Sequence, residues 1–405
     1  MTGSTHPRTG APGPVGGLSG LRSLLTQRMR SGQLGTLPIV GALIVIWLVF
    51  QLLNPHFLSS DNLVNLTLQS AATGVIALGI VLVLLVGQID LSVGSVSGLA
   101  AAVVAIGSVQ LGWPTLLAVV VALGVGAVVG VLYGALTTRL GLPSFVLTLA
   151  GLLVFAGLQL RVLGPTGSVN LPFGSTLVRL SQQGFLAPAA SSAIVAAVVL
   201  GYAAMLMVER ARRLRAELPV ASPVDLGVRI GALALVLGSS VAYLNTNRGV
   251  GVTFALFVSL VAVVDLLLRR TRWGRAVRAV GGNVESARRA GIPVRRTFVS
   301  VFVACSTLAA LGGVLSVGRL AAANQATGGG DTNLTAIAAA VIGGTSLFGG
   351  RGSAWSALLG VLVIQSISSG LTLLNLDTAV RYVITGLVLA LAIAIDTLMR
   401  RAREV

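Results

Sequence analysis

The feature that most constrains this chain is the repetition of apolar runs, most of them about 20 residues long, from Leu37 to Leu398. A helix needs about 20 mainly apolar residues to cross roughly 30 Å of bilayer hydrocarbon. Only 10% of the 405 residues are charged and 55% are hydrophobic, whereas soluble chains carry about 25% charged residues. The sequence therefore predicts an all-α, polytopic transmembrane helix bundle.

Two stretches interrupt the regular pattern of spans. The run at 335–347 is too short to cross alone, and the polar stretch from Gly87 to Gly94 separates two runs by only a few residues. We therefore expect about 11–12 spans with one or two broken or re-entrant helices, so that eleven spans plus a re-entrant piece is the alternative to twelve. The candidate runs are 37–53, 68–87, 91–111, 114–136, 143–163, 187–207, 227–244, 250–268, 298–317, 335–347, 354–374 and 379–398.

The basic residues predict the orientation of the chain. Its net charge is +17, and the cations concentrate in the N-terminal tail, at 210–215, at 269–296 and at 400–403. Such clustering is typical of cytoplasmic loops under the positive-inside rule and argues against nucleic acid as the partner. We predict a cytoplasmic tail at 1–36, a transmembrane domain at 37–398 and a cytoplasmic tail at 399–405. No small-residue cleavage site follows the first run, which indicates an uncleaved span.

The composition also excludes several kinds of chemistry. The chain contains no lysine, so it holds neither a phosphate-binding P-loop nor a Schiff-base amine. His6, His56 and Cys305 are too few for a His/Cys metal cluster or a disulfide within one chain. We interpret Cys305 as a small buried apolar residue. The sequence predicts a protein that is not an enzyme and has no catalytic, metal or cofactor site of its own.

The loop at 269–297 carries the most informative local pattern. Gly281 and Gly282 are predicted to break a helix, after which Asn283 is a good N-cap and Glu285 occupies the first turn. Arg288 and Arg289 fall in the last turn, Gly291 stands where a C′ glycine belongs, and Pro293 prevents continuation. Because so short a helix is marginal in water, the pattern predicts docking to a soluble partner, with a plain connecting loop as the alternative.

This loop and five other motifs carry a family resemblance. The segment from Glu285 through Ala287 to Gly291 resembles the Glu-Ala-Ala-x-x-x-Gly loop of ABC importer permeases, with Ser286 in place of the usual first alanine. The chain as a whole is similar to the monosaccharide branch of ribose, galactose and xylose permeases. The matching motifs, in order, are Asn54–Ser59, Gln88–Ser95, Pro143–Phe145, Ala279–Asn283 and Ile342–Ser353. Extra sequence from Gly164 to Leu244 resembles the xylose type in particular.

The resemblance implies a function and a set of partners. It implies a permease of the bacterial inner membrane that binds a pair of ATP-hydrolysing subunits, an extracytoplasmic sugar-binding protein and a second permease copy, most simply as a homodimer. ATP would be bound by the partner subunit. Gly281, Gly282, Asn283, Glu285, Ala287, Arg288 and Gly291 would then form the ATPase-coupling loop. The alternatives are a permease of the same superfamily for branched-chain amino acids or another small solute, and an ion-coupled secondary transporter.

Two groups of polar residues are candidates for the translocation path or gate. Asp90 lies with Gln88 and Ser92 between two apolar runs, and an ionisable group at membrane depth suggests function, although an N-cap role for Asp90 is the stronger expectation. Gln365, Ser366 and Ser369 make the eleventh run polar, which suits sugar hydroxyls but equally suits hydrogen bonds between helices. Asp265 and Asp396, near predicted cytoplasmic ends, are expected to pair with nearby arginines.

Overall fold

The computed structural model describes residues 37–329, 331–388, 390 and 394, so the two predicted tails and Asp396 lie outside the described residues. The helices are α1 Leu37–Leu53, α2 Ser60–Leu85, α3 Val93–Val109, α4 Thr115–Arg139, α5 Ser144–Leu163, α6 Thr176–Gln182, α7 Pro188–Arg215, α8 Pro223–Leu244, α9 Val252–Arg270, α10 Arg272–Gly282, α11 Val284–Arg289, α12 Val294–Leu320, α13 Thr332–Ile342, α14 Trp355–Leu373 and α15 Thr378–Val388. The strands are β1 Ser168–Asn170 and β2 Ala322–Asn324.

The predicted helical bundle is confirmed. Eight of the helices are long and apolar enough to cross a membrane, and α1, α3, α13 and α15 are shorter apolar helices. Helix α2 begins eight positions before its predicted run because Ser59 caps it, its side chain accepting a hydrogen bond from the Asn62 amide. Helix α7 continues past its apolar run through the arginine cluster to Arg215. Arginine is a good helix former, so polarity alone does not end a helix.

Contacts at the two termini of α2 define two ends of the bundle. At its start, Ser60 Oγ donates to the Tyr243 carbonyl at 2.9 Å, and Arg248 pairs with Asp61 at 3.1 Å. We call this the Tyr243 end. At its finish, the Gly350 amide donates to the Leu85 carbonyl at 3.0 Å, close to Gly281. We call this the Gly281 end.

The region that contains the short predicted run at 335–347 leads from the Tyr243 end to the Gly281 end. Strand β2 pairs antiparallel with β1, Asn324 opposite Ser168, and the Arg319 carbonyl just before β2 accepts from Gln182 on the Tyr243 side. The chain then reaches the Gly281 end by Gly350. Helix α13 has 11 residues, which is about 16 Å at the usual rise per residue. The irregular backbone before α13 spans the rest of the distance between the two ends. In the described residues this region is a broken helix that leads from one end of the bundle to the other, in keeping with the predicted broken or re-entrant helices.

Helix α2 forms the centre of the core. In its most apolar stretch 89% of the residues are buried, and it packs against α9, α12, α13 and α14. Gly79 permits a close approach to α12, since a β-carbon there would lie 2.9 Å from the Cys305 carbonyl oxygen. At Gly74, the fully buried ring of Phe257 occupies the space that a β-carbon would need. Small residues on α2 therefore allow helix backbones to pack closely.

The α7–α8 hairpin, Pro188–Leu244, lies at the periphery. Only 6% of the most apolar stretch of each helix is buried, and the two helices pack chiefly on each other. This hairpin occupies most of the extra sequence from Gly164 to Leu244. The remainder of that sequence forms β1 and α6 at the Tyr243 end.

Candidate functional site

Helix α10 is an amphipathic connection between the bundle and α11. Its Val277 and Val280 side chains are buried in the core, whereas Arg275 and Arg278 lie on its outer side. Trp273 Nε1 donates to Ser300 Oγ on α12 at 2.8 Å. Helix α10 is thus anchored to α12 by both apolar packing and a hydrogen bond. The predicted break at Gly281 and Gly282 falls at the last residues of α10, because both glycines still belong to this helix and it ends at Gly282, just before Asn283.

Helix α11 is capped at both ends as the sequence predicted. Asn283 Oδ1 accepts from the Ser286 amide at 2.8 Å. At the other end, the Gly291 amide donates to the Arg288 carbonyl and the Ile292 amide to the Ala287 carbonyl, both at 3.0 Å. This pair of bonds is a Schellman motif, and Gly291 has the positive φ of 76° that the motif requires. The helix is therefore fixed despite having only six residues.

The two faces of α11 differ in character. Ala287 is buried against the core, whereas Glu285, Arg288 and Arg289 are exposed. Glu285 pairs with Arg288 at 3.2 Å and with Arg289 at 3.4 Å. Such exposed pairs contribute little to stability, so these charges are available to a partner. Helix α11 presents a short charged surface on a rigid support at the Gly281 end.

Four glycines lie in close contact where the end of α10, just before α11, meets the end of α2 and the loop before α14. We call Gly87, Gly281, Gly349 and Gly350 the glycine junction. A β-carbon on Gly281 would overlap the Leu85 carbonyl oxygen and lie 2.9 Å from the Gly350 amide nitrogen. A β-carbon on Gly349 would lie 2.9 Å from the Gly281 carbonyl oxygen and 2.9 Å from Gly87 Cα. Backbone contacts backbone here, so α10 cannot approach α2 or the loop before α14 more closely without displacing them.

The break after α2 begins with a second Schellman motif. The Gly87 amide donates to the Leu84 carbonyl at 2.9 Å and the Gln88 amide to the Val83 carbonyl at 3.1 Å. The extended backbone that follows is held by hydroxyls of α5. Ser144 Oγ accepts from the Ile89 amide, and Thr148 Oγ1 accepts from the Leu91 amide. These side chains satisfy backbone groups that the break removes from helical bonding.

Asp90 is buried in a small polar cluster beside this break. Its Oδ1 accepts from the Ser92 amide at 2.8 Å and from Ser92 Oγ at 2.7 Å. Tyr133 Oη donates to Ser92 Oγ at 2.8 Å, and the Cys305 thiol lies 3.9 Å from Asp90 Oδ2. The expectation that Asp90 is an N-cap is wrong, because α3 begins after Ser92 and Asp90 forms a turn two residues earlier. Cys305 is buried, as predicted.

The polar residues of α14 bond to neighbouring helices. Trp47 Nε1 of α1 donates to Ser366 Oγ at 2.9 Å, and Ser369 Oγ donates to Asn62 Oδ1 of α2 at 2.9 Å. Gln365 and Gln88 are partly exposed. The structure therefore does not bring the two predicted path groups together: Asp90 and Ser92 lie near the Gly281 end, and Ser369 lies near the Tyr243 end.

The predicted pairing of Asp265 with a nearby arginine is confirmed, because Asp265 pairs with Arg269 at 2.9 Å.

A further polar group was missed by sequence reasoning. Gln159 Nε2 of α5 donates to the carbonyls of Asn324 and Thr327 at 2.9 and 2.8 Å. Asn333 Oδ1 accepts from the Gly94 amide at the start of α3. The neutral amide of Gln159 inside the run at 143–163 was the available signal, with Asn333 just before the run at 335–347, but neither could indicate which distant backbone the amide contacts.

The described residues offer no metal-ligating group of three or more His, Cys, Asp or Glu side chains. The arrangement combines an exposed helix at the Gly281 end with a tight backbone junction and a broken crossing. The exposed helix and the backbone junction are therefore the features of this end on which a proposal about function can rest.

Comparison with known proteins places the chain among transport permeases. Residues 62–393 match the family described as branched-chain amino acid transport system, permease component. The xylose transport system permease protein of Escherichia coli K12 is 36% identical over 95% of each chain. The ribose import permease protein of Bacillus subtilis is 31% identical over 89% of this chain and 91% of its own. The fructose import permease protein of Rhizobium meliloti is 29% identical over 86% of this chain and 81% of its own. No solved structure was found to match.

Proposed function

The chain belongs to the permease family of branched-chain amino acid and sugar transport systems, and from that premise we propose that it is the membrane-spanning permease of an ATP-driven importer of a monosaccharide, with xylose as the favoured sugar. It is a multi-pass protein of the bacterial inner membrane and a transport subunit without an ATPase site of its own. An importer of this type works with a separate ATPase and a substrate-binding protein.

The sugar assignment comes from the relatives. The family description mentions branched-chain amino acids, but the relatives that align over most of this chain include permeases named for xylose, ribose and fructose. Full-length similarity to xylose permeases includes the α7–α8 hairpin. The names of these relatives therefore disfavour the amino-acid alternative.

The observation that carries the proposed mechanism is the α11 surface on the glycine junction. An ATPase that grips Glu285 and its neighbours would move α10. Because Gly281 contacts the end of α2 and the loop before α14 without intervening side chains, this motion would reach the centre of the bundle. ATP binding by the partner would thereby shift the equilibrium between two packings of the permease. The ATP site and the transport route would be coupled because both depend on which packing is populated.

Three finer features complete the proposal. Two copies of the chain form a homodimer around a central route, in keeping with the prevalence of closed two-fold symmetry. Both termini are cytoplasmic, because the exposed arginines of α10, α11 and the end of α7 then all lie on the cytoplasmic side. The Tyr243 end faces the binding protein.

Reconstitution in proteoliposomes tests the function. The permease is combined with its partner ATPase and binding protein, and radiolabelled xylose uptake is measured with internal ATP. We expect ATP-dependent accumulation that excess ribose inhibits weakly and leucine does not inhibit. Accumulation of leucine in preference to every sugar would contradict the proposal. So would uptake by the permease alone under an ion gradient.

A further inference from the structure

The irregular segment between β2 and α13 lies deep along α3. A β-carbon on Gly98 would overlap the Thr327 carbonyl oxygen, and one on Gly94 would overlap the Gly328 carbonyl oxygen. Gly94 and Gly98 belong to the first turns of α3, which ends at Val109. At 1.5 Å per residue, this contact lies roughly 16–22 Å along α3 from Val109. Non-helical backbone is therefore present well inside the depth that the helices span.

The inner side of this segment is hydrogen-bonded to α5 and within itself. Gln159 donates to two of its carbonyls, and the Asn324 amide donates to Thr327 Oγ1 at 2.9 Å. The Ala326 amide donates to Asn324 Oδ1, also at 2.9 Å. Gln159 is 3% exposed and Thr327 is 6% exposed. These bonds hold the segment in one conformation against α3 and α5.

The outer side of the segment carries exposed polar groups. Asn324, Gln325 and Asp331 are all exposed. Within the described part of the chain, the Gln325 amide group and the Asp331 carboxylate have no side-chain hydrogen bond or ion pair, and Asp331 does not cap α13 with its side chain. Lipid-exposed irregular backbone does not occur at hydrocarbon depth, and a carboxylate there faces the bundle interior or a water-filled cavity. Asp331 lies two residues before Asn333, which bonds to the Gly94 amide, so it is at this depth and must face water or protein. The Gln325 side chain packs against Gly167 in the turn after α5, so it lies nearer the Tyr243 end.

We propose that this segment is the sugar-contacting wall of the translocation route, with Gln325 and Asp331 as the side chains that bind sugar hydroxyls and Asn324 as a supporting contact. The inference rests on the proposed function, because it assumes a neutral polyhydroxylated substrate. An amide both donates and accepts, and a carboxylate accepts from two adjacent hydroxyls, so the pair matches a pentose without needing a charged ligand. The broken crossing thus serves to place polar groups at depth.

Thiol accessibility provides the first test. Gln325→Cys and Asp331→Cys are compared with Leu235→Cys, an exposed position in the middle of the peripheral hairpin, in the assembled complex in proteoliposomes. The probe is a charged, membrane-impermeant methanethiosulfonate, applied without nucleotide and in the vanadate-trapped state. We expect Gln325→Cys and Asp331→Cys to react at least tenfold faster than Leu235→Cys in one of the two states, and xylose to slow that reaction. Reaction rates equal to that of Leu235→Cys in both states would overturn the proposal, as would rates that xylose does not change.

Transport kinetics provide the second test. Asp331→Asn keeps the size of the side chain but alters its acceptor capacity, and we expect the KM for xylose uptake to rise fivefold or more at an unchanged affinity of the binding protein for xylose. An unchanged KM would contradict a sugar-contacting role. If the wild-type complex transports no sugar at all, the proposed function fails, whereas fast thiol reaction at 325 and 331 would still show a water-lined wall.

Discussion

Helix α2 and the α7–α8 hairpin consist of similarly apolar sequence, yet they occupy opposite places in the molecule. In α2 89% of the most apolar stretch is buried, against 6% in each helix of the hairpin. Their glycines differ in the same way. Gly74 and Gly79 of α2 face a ring and a backbone at close range, whereas Gly231 and Gly238 of α8 have no neighbouring heavy atom within 4 Å of a built β-carbon. Hydropathy identifies a span, and small residues in contact determine which spans form the core.

The glycine junction extends the close packing of α2 to the α11 surface, and it gives the largest expected effect. Gly281→Ala would place a methyl group against the Leu85 carbonyl, so the backbone must shift. We expect ATP-driven uptake to fall at least tenfold and the protein to lose about 1–3 kcal/mol of stability. Both are measured, uptake in proteoliposomes and stability by thermal unfolding in detergent.

Gly282→Ala is the matched control for this substitution. Gly282 is the next residue of the same helix, is exposed, and has nothing within 4 Å of a built β-carbon. It should keep most of the wild-type uptake. Equal losses in both variants would show that backbone flexibility matters here and that the close contact does not.

The second prediction concerns the centre of α2. Gly79→Ala would place a methyl group 2.9 Å from the Cys305 carbonyl oxygen, and neither backbone can move without disturbing other helices. We expect a loss of about 1–3 kcal/mol, typical of overpacking, seen as a lower midpoint of thermal unfolding. A midpoint equal to that of the wild type would mean that α2 and α12 leave room for a methyl group between Gly79 and the Cys305 carbonyl.

The break near the Gly281 end can be predicted only in part from sequence. The polar stretch from Gly87 to Gly94 signalled it, and the two caps of α11 followed from Asn283 and Gly291, because capping depends on neighbouring residues. The bonds from Tyr133 to Ser92 and from Gln159 to Thr327 span 41 and 168 positions. No local pattern specifies such partners. The role assigned to Asp90 failed for a different reason, since α3 begins only after Ser92 and the Asp90 carboxylate bonds to Ser92 instead of the first turn of the helix.

A third, smaller effect is expected from the Asp90 cluster. Tyr133→Phe removes the hydroxyl that donates to Ser92 while leaving the ring in its aromatic contacts with Phe155 and Phe302. We expect a loss of about 0.5–1.5 kcal/mol, the usual net value of one hydrogen bond. Chemical denaturation in mixed micelles measures it. No change in stability would indicate that the Ser92 hydroxyl finds another donor.

The smallest effect is expected in the α7–α8 hairpin. Gly231→Ala adds a methyl group where there is open space, and alanine favours a helix by about 1 kcal/mol over glycine. The variant should be as stable as the wild type or slightly more stable, with unchanged uptake. If instead it loses stability comparable to Gly79→Ala, the hairpin must pack against a surface in the assembled protein, and the contrast with α2 disappears.

The central claim is that energy enters this permease through α11. We would place a cysteine at the exposed Ser286 in a Cys305→Ala background, and crosslink it reversibly to the ATPase in the reconstituted complex. We expect Ser286→Cys to capture the ATPase in high yield, and xylose uptake to stop while the bond exists and to resume on reduction. Failure to capture any ATPase while ATP-driven uptake continues at the wild-type rate would show that energy does not enter through α11.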